Sequence, residues 1–95
     1  MIYLNVWLTV KDAANVEKVR GLLAEAGRLS RAEPGCARWE AYQSNHDPSR
    51  FLLHEWWESP AALDAHRLAP AYTTIYQPQV LPLVDREPHP STLVE

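Results

Sequence analysis

Four histidines and one cysteine are the side chains in this chain best suited, by type, to move protons or bind metals near neutral pH: His46, His54, His66, His89 and Cys36. Their spacing contains neither a C-x-x-C nor an H-x-x-x-H pair, so no metal centre is expected. His66 is the first candidate for acid–base work. It shares one face of a helical stretch with Ala62, Leu63 and Ala69, and an imidazole on such an inner face has the pKa range of a general base. The competing assignment is a packed core histidine. His54 and Glu55 are adjacent in an extended run, which sends them to opposite faces of a sheet. Glu55 then lies on the inner side with Leu53 and Trp57. Once buried, its carboxyl pKa rises, and it becomes an alternative base or a hydrogen-bond partner in a pocket. Trp57 offers a flat ring to stack an aromatic ligand, or else a core anchor. Tyr72 and Tyr76, four residues apart, line one wall as hydroxyl donors or as packing. His54 and Trp56 are assigned to the opposite face, and His46 and His89 to solvent. Arg38 and Arg50 read as solvated charges, and Cys36 as a small buried filler.

These residues depend on a short series of elements. Ile2 to Val10 alternates aliphatic residues with Tyr3, Asn5, Trp7 and Thr9, the period of a strand, and asparagine is unusual inside one. Asp12 caps an amphipathic helix over about residues 12–31, with Val16, Val19, Leu22, Leu23, Ala26 and Leu29 at helical spacing. Glu33-Pro34-Gly35 breaks it, and a second strand runs from Cys36 to Gln43. The turn formers from Ser44 to Ser49 fold Phe51 to Trp57 back as a third strand. Ser59-Pro60 starts a second helix over about 60–69, Pro70 interrupts it, and Ala71 to Gln77 adds a turn or two before Pro78. Val80 to Val84 is read as the last strand, at a sheet edge because of Pro78 and Pro82. The division expected is a domain over residues 1–86 and a proline-containing, irregular tail over 87–95.

The order β-α-β-β-α-β gives an α+β fold of ferredoxin-like type, a four-stranded antiparallel sheet with both helices on one face. Its other face carries more aromatic and aliphatic surface than a monomer usually exposes, so a homodimer through the open sheet face is expected. With 95 residues the chain forms one domain, and it has no apolar run long enough to span a bilayer. Nine basic against twelve acidic residues, net charge −3, argue against nucleic acid as a partner. The lone cysteine and the absence of a signal-type N-terminus suggest a cytoplasmic protein.

At Glu33-Pro34-Gly35-Cys36, Asp47-Pro48-Ser49-Arg50-Phe51, Glu55-Trp56-Trp57-Glu58-Ser59 and Ala62-Leu63-Asp64-Ala65-His66 the chain resembles the antibiotic biosynthesis monooxygenase family, over about residues 2–85. The resemblance implies a dimeric α+β barrel with a small-molecule pocket between sheet and helices. It further implies a cofactor-independent monooxygenase acting on a small electron-rich aromatic, such as a quinol, whose anion reduces dioxygen directly. Many relatives carry a histidine at the position of His66 and a tryptophan at that of Trp57. Asn5 resembles the pocket asparagine of a heme-degrading branch, which makes it a candidate hydrogen-bond donor. Two other positions of that branch depart here, at His66 and near Tyr76, so heme is only weakly supported as a cofactor. Leu53 stands where anthrone-oxidising relatives have an asparagine. The alternatives are a non-catalytic small-ligand or heme-binding dimer, or an oxygen-independent isomerase of a small carbonyl metabolite.

Overall fold

The computed structural model describes residues 1–95. Strand β1 (Ile2–Val10) leads through a short 3-10 turn (Ala13–Asn15) into helix α1 (Val16–Arg31). Strands β2 (Cys36–Gln43) and β3 (Arg50–Trp57) form the hairpin. Helix α2 (Pro60–His66) is followed by a wide-turned π-helical segment (Ala71–Val80), a 3-10 turn (Leu81–Leu83) and strand β4 (Val84–Ser91). All neighbouring strands are antiparallel, in the order β2-β3-β1-β4. This is the ferredoxin-like arrangement read from the sequence. The thinnest extent of the molecule is 17 Å, that of one sheet carrying one layer of helices.

The alternation in β1 sorts its residues cleanly. Leu4, Val6, Leu8 and Val10 are buried under the helices, while Tyr3, Asn5, Trp7 and Thr9 face the uncovered side. In β3, Phe51, Leu53, Glu55 and Trp57 are buried, and Leu52, His54 and Trp56 lie on the outer face. Helix α1 buries Val19, Leu23, Ala26, Gly27 and Ser30, a stripe at three- and four-residue spacing. The Asp12 carboxylate caps its approach by accepting from the Ala14 N–H at 2.9 Å. Two glycines let layers approach closely. A Cβ on Gly27 would come within 2.8 Å of the Trp39 ring, and one on Gly35 within 2.5 Å of the Ala62 Cβ. Gly35 also has φ +83°, which suits glycine.

The C-terminal third departs from the sequence reading. Val80 to Val84 is not a strand, because most of it completes the π-helical segment and the 3-10 turn; β4 begins only at Val84. Pro78 sits inside the helical segment. Proline has no N–H and its ring crowds the carbonyl four residues back, that of Thr74. The helix opens to a wider turn, with the Leu81 N–H reaching the Tyr76 carbonyl, and the Gln79 side-chain amide donates to the Thr74 carbonyl at 2.8 Å. Residues 87–91, expected in an irregular tail, are the body of β4, so the division expected after residue 86 falls inside a strand. Parity makes this possible. The Lys11 N–H bonds to the Leu83 carbonyl, and in this register β1 residues 3, 5, 7 and 9 exchange bonds with β4 residues 91, 89, 87 and 85. Pro88 and Pro90 fall between those pairs, with their nitrogens toward the free edge, so neither removes a ladder bond.

Candidate active site

A cavity lies between the inner sheet face and the helices. Its walls include Leu4, Leu53 and Glu55 from the sheet, Ser30 from α1, Leu63 and His66 from α2, Tyr72 and Tyr76 from the π-helical segment, and Arg86 from β4. His66, Glu55, Tyr72 and Tyr76 are therefore brought together. Trp57 lies directly beneath the histidine. Its ring stacks on the imidazole, centroids 4.4 Å apart and tilted 32°. The Tyr72 ring meets His66 edge-on at 5.7 Å, and Tyr76 continues the aromatic wall 5.4 Å from Tyr72.

The partner that orients His66 was not among the residues singled out as functional. Glu33, in the turn after α1, accepts a hydrogen bond from His66 Nδ1–H at Oε1, 2.7 Å away. Both side chains are largely enclosed, at 8% exposure for His66 and 15% for Glu33. With Nδ1–H directed at Glu33, Nε2 is the nitrogen left to accept a proton. The Glu33-Pro34-Gly35 break marks the turn in sequence, but no spacing rule connects residue 33 to residue 66.

Glu55 is buried at 5% exposure, and its Oε1 accepts the Trp57 indole N–H at 3.0 Å. Burial is the dominant influence and raises its carboxyl pKa, opposed by the Trp57 hydrogen bond and by the charges of His66, Arg86 and Arg67. The Tyr76 hydroxyl accepts from Arg86 Nε–H at 3.1 Å, and burial pushes its pKa up to about 12. It stays a protonated phenol. The Cys36 thiol, half-buried, is pushed up to about 11 by burial and by Glu33 and Glu55, so it supplies no nucleophile near neutrality.

Two polar atoms among the buried wall residues have no partner: Ser30 Oγ and Trp39 Nε1. Leaving such a group unpaired costs about 1–3 kcal/mol. The cavity itself measures about 20 Å³, room for roughly one water.

Asn5 does not belong to this cavity. It follows Leu4 on a strand, so it points through the sheet to the uncovered face. There its Oδ1 accepts from His54 Nδ1–H at 2.6 Å and its amide donates to Ser91 Oγ at 3.1 Å. The expected pocket donor is thus part of the outer face, where it borders a surface groove with Tyr3, His54 and Trp56. Arg38 and Arg50 are also there, lying over the rings of Trp56 and Trp7 at 4.9 and 4.5 Å. No three His, Cys, Asp or Glu side chains come together as a metal-binding group, and no helix is long and apolar enough to cross a membrane.

The sequence profile of the family described as Antibiotic biosynthesis monooxygenase matches residues 1–77. A crystal structure described as an antibiotic biosynthesis monooxygenase superposes with TM-score 0.90 at 23% identity, over 100% of both chains. SnoaB of Streptomyces nogalater, described as a cofactor-independent oxygenase, superposes with TM-score 0.84 at 14% identity, over 99% of this chain and 93% of its own. Over 43 residues, 45% of its length, the chain is 40% identical to the uncharacterized protein sll1783 of Synechocystis, and that match spans only 29% of the relative.

Proposed function

The chain belongs to the antibiotic biosynthesis monooxygenase family, and we propose that it is a cofactor-independent monooxygenase of a small electron-rich aromatic, a quinol-like molecule. The observation that carries this reading is His66, fixed by Glu33 at one nitrogen and in contact with the rings of Trp57 and Tyr72 in the wall of an aromatic cavity. Its fold is shared with SnoaB, itself described as an oxygenase without a cofactor.

In the proposed reaction His66 Nε2 takes a hydroxyl proton from the quinol, and Glu33 stabilises the imidazolium that forms. The quinolate is electron-rich enough to reduce dioxygen directly. One electron passes to oxygen, and the radical pair closes a carbon–oxygen bond to give a ring hydroperoxide. The O–O bond then breaks. The departing hydroxide recovers the proton from His66 as water, and the ring proton shifts to the new ring oxygen, leaving a neutral hydroxyquinone. Quinol and dioxygen thus become hydroxyquinone and water, with one oxygen atom in each product. Leu53 presents hydrocarbon to the cavity, which fits a flat quinol better than a larger ring system needing a polar contact there.

Small-molecule sites run about 300–1,000 Å³, so a ring is admitted only when the wall moves. The partly exposed parts of the wall are Leu63 on the short α2 and Tyr72 on the π-helical segment, and a ring is expected to enter there. A homodimer forms through the uncovered sheet face, where Tyr3, Trp7, Leu52, His54 and Trp56 make a partly exposed, largely aromatic surface. The reducing cytoplasm as its compartment rests on the lone Cys36.

The test is oxygen uptake by metal-stripped protein against a panel of quinols and anthrones, with the His66→Ala variant beside it. Uptake with a quinol, lost in the variant, is the expected result. No uptake with any substrate would overturn the proposal.

A further inference from the structure

Around the His66 cavity, cations and hydrogen-bond donors outnumber acceptors. Arg67, the residue that ends α2, and Arg86 both line it, against a single carboxylate, Glu55. Glu55 is a poor counterion for them. Burial resists its ionisation, and its Oε1 already accepts the Trp57 indole N–H. In the same wall Ser30 Oγ and Trp39 Nε1 are buried without a partner in the protein, and an indole N–H can only donate. Such groups are rarely left unpaired unless a ligand answers them. The ligand that suits this lining is rich in acceptors and negatively charged.

The register of β4 singles out Arg86. It pairs across the ladder with Leu8, a buried residue, so it lies on the helix-covered face of the sheet. Its chain neighbours Asp85 and Glu87 pair with Thr9 and Trp7 and fall on the opposite face, away from its charge. No carboxylate comes within ion-pair distance of Arg86. Tyr76 orients it instead, accepting its Nε–H at 3.1 Å, and both Nη groups stay unengaged. Arg67 has only Asp64, 4.0 Å away with its side chain 77% exposed, a pairing that water screens. Both arginines are open to solvent, which puts their charge at the mouth of the cavity rather than inside it.

Deepening the monooxygenase reading and resting on it, we propose that Arg86 receives a carboxylate carried on the substrate ring, with Arg67 adding to the positive field at the same mouth. The substrate class is then an aromatic acid rather than a neutral aromatic. The two free Nη groups of Arg86 form a planar fork that matches the two oxygens of one carboxylate. Tyr76, which holds Arg86, continues through Tyr72 to His66, so one aromatic wall joins the anion site to the base.

The experiment separates binding from chemistry. Under strict anaerobiosis the whole chain is titrated in a calorimeter with gentisate and, separately, with gentisamide, the same dihydroxylated ring with a neutral amide in place of the carboxylate. Gentisate is expected to bind about tenfold more tightly or better, and to lose that advantage as salt is added. Arg86→Gln is expected to remove the advantage and leave gentisamide binding unchanged, which also shows that the variant is folded. Arg86→Lys, keeping the charge without the fork, recovers part of it, and Arg67→Gln gives a smaller loss. Equal affinity for the two ligands, no binding of gentisate, or an undiminished preference for gentisate in Arg86→Gln overturns the inference. Oxygen uptake is then measured in air. Uptake with the same kcat/KM for acid and amide defeats this inference and leaves the oxygenase reading standing. Selective, Arg86-dependent binding of gentisate without uptake does the reverse.

Discussion

Glu33 and His66 meet at 2.7 Å although they are 33 residues apart, one in the turn that ends α1 and the other at the end of α2. The contact ties the two helices together at the one point where the inner sheet face presents a stacked imidazole. It leaves a single nitrogen of His66 free to exchange protons. Three local features frame it: the positive φ of Gly35, the 2.9 Å bond from the Glu58 N–H to the Gly35 carbonyl, and the Ser59 side-chain cap on α2.

If His66 is the base and Glu33 orients it, His66→Ala lowers kcat about 10²- to 10⁴-fold. Glu33→Ala lowers it about tenfold or more, and Glu33→Gln, whose carbonyl still accepts from Nδ1–H, recovers part of that loss. The double variant is no worse than His66→Ala alone, since the two act as a unit. Steady-state oxygen uptake, with kcat and KM resolved separately, checks this. A double variant much slower than His66→Ala would show that Glu33 acts independently.

Glu55 predicts a pH dependence of stability. Its native pKa is raised above the ordinary 4.5 by burial, so the folded protein holds this proton more tightly than the unfolded chain does. The stabilisation is fully present below pH 4.5 and is lost as the pH climbs through the raised native value. Each pH unit of that window is worth about 1.4 kcal/mol, or roughly 5–10 °C in Tm for a chain this size. Glu55→Gln keeps an oxygen for the Trp57 N–H and removes the titration. Thermal melts at pH 4 and pH 8 are expected to agree for the two proteins at the lower pH and to favour the variant at the higher.

The glycines give opposite signs. Gly35→Ala forces a side chain onto φ +83° and against Ala62, and is expected to cost about 2–3 kcal/mol. Gly21→Ala meets nothing within 4 Å on α1 and is expected to stabilise by about 0.5–1 kcal/mol. Urea unfolding midpoints of the two variants decide both.

The outer face separates assembly from chemistry. Asn5→Ala, on the side of the sheet away from His66, is expected to leave uptake per subunit within about twofold, since changes away from a site are usually small. Trp56→Glu places a charge where the Tyr3 and His54 rings meet Trp56 at 5.3 and 5.7 Å, and is expected to yield monomer in sedimentation equilibrium. A wild-type protein that sediments as monomer at micromolar concentration would remove the dimer proposal altogether.

Much of this architecture was legible because its signals are local. The alternation from Ile2 to Val10, the helical stripe of α1 and the Ser59-Pro60 start each need only a few neighbouring residues. The same alternation already placed Asn5 with Tyr3 and Trp7, opposite Leu4 and Val6, and resemblance to a heme-degrading branch drew it wrongly toward the pocket. His66 was legible from helical spacing, whereas Glu33 was not, because a contact across 33 residues leaves no periodic trace. Strand β4 was hidden by its prolines. Pro88 and Pro90 count against a strand only when their nitrogens face the neighbour, and that depends on a register no single segment reveals. The apolar run Val80 to Val84 supplied a false substitute, and the wide turn around Pro78 has no sequence period of its own.

Those two prolines also govern what the protein does not become. An open sheet invites further strands along its rim, and β4 is one of its two rims. With no donor at Pro88 or Pro90, an incoming strand finds gaps at two alternate positions of the template it would copy. Growth by strand addition, the route to fibrils, is therefore discouraged on that side. The aromatic face is left as the favourable place to associate, and association through a face satisfies itself after a single pairing.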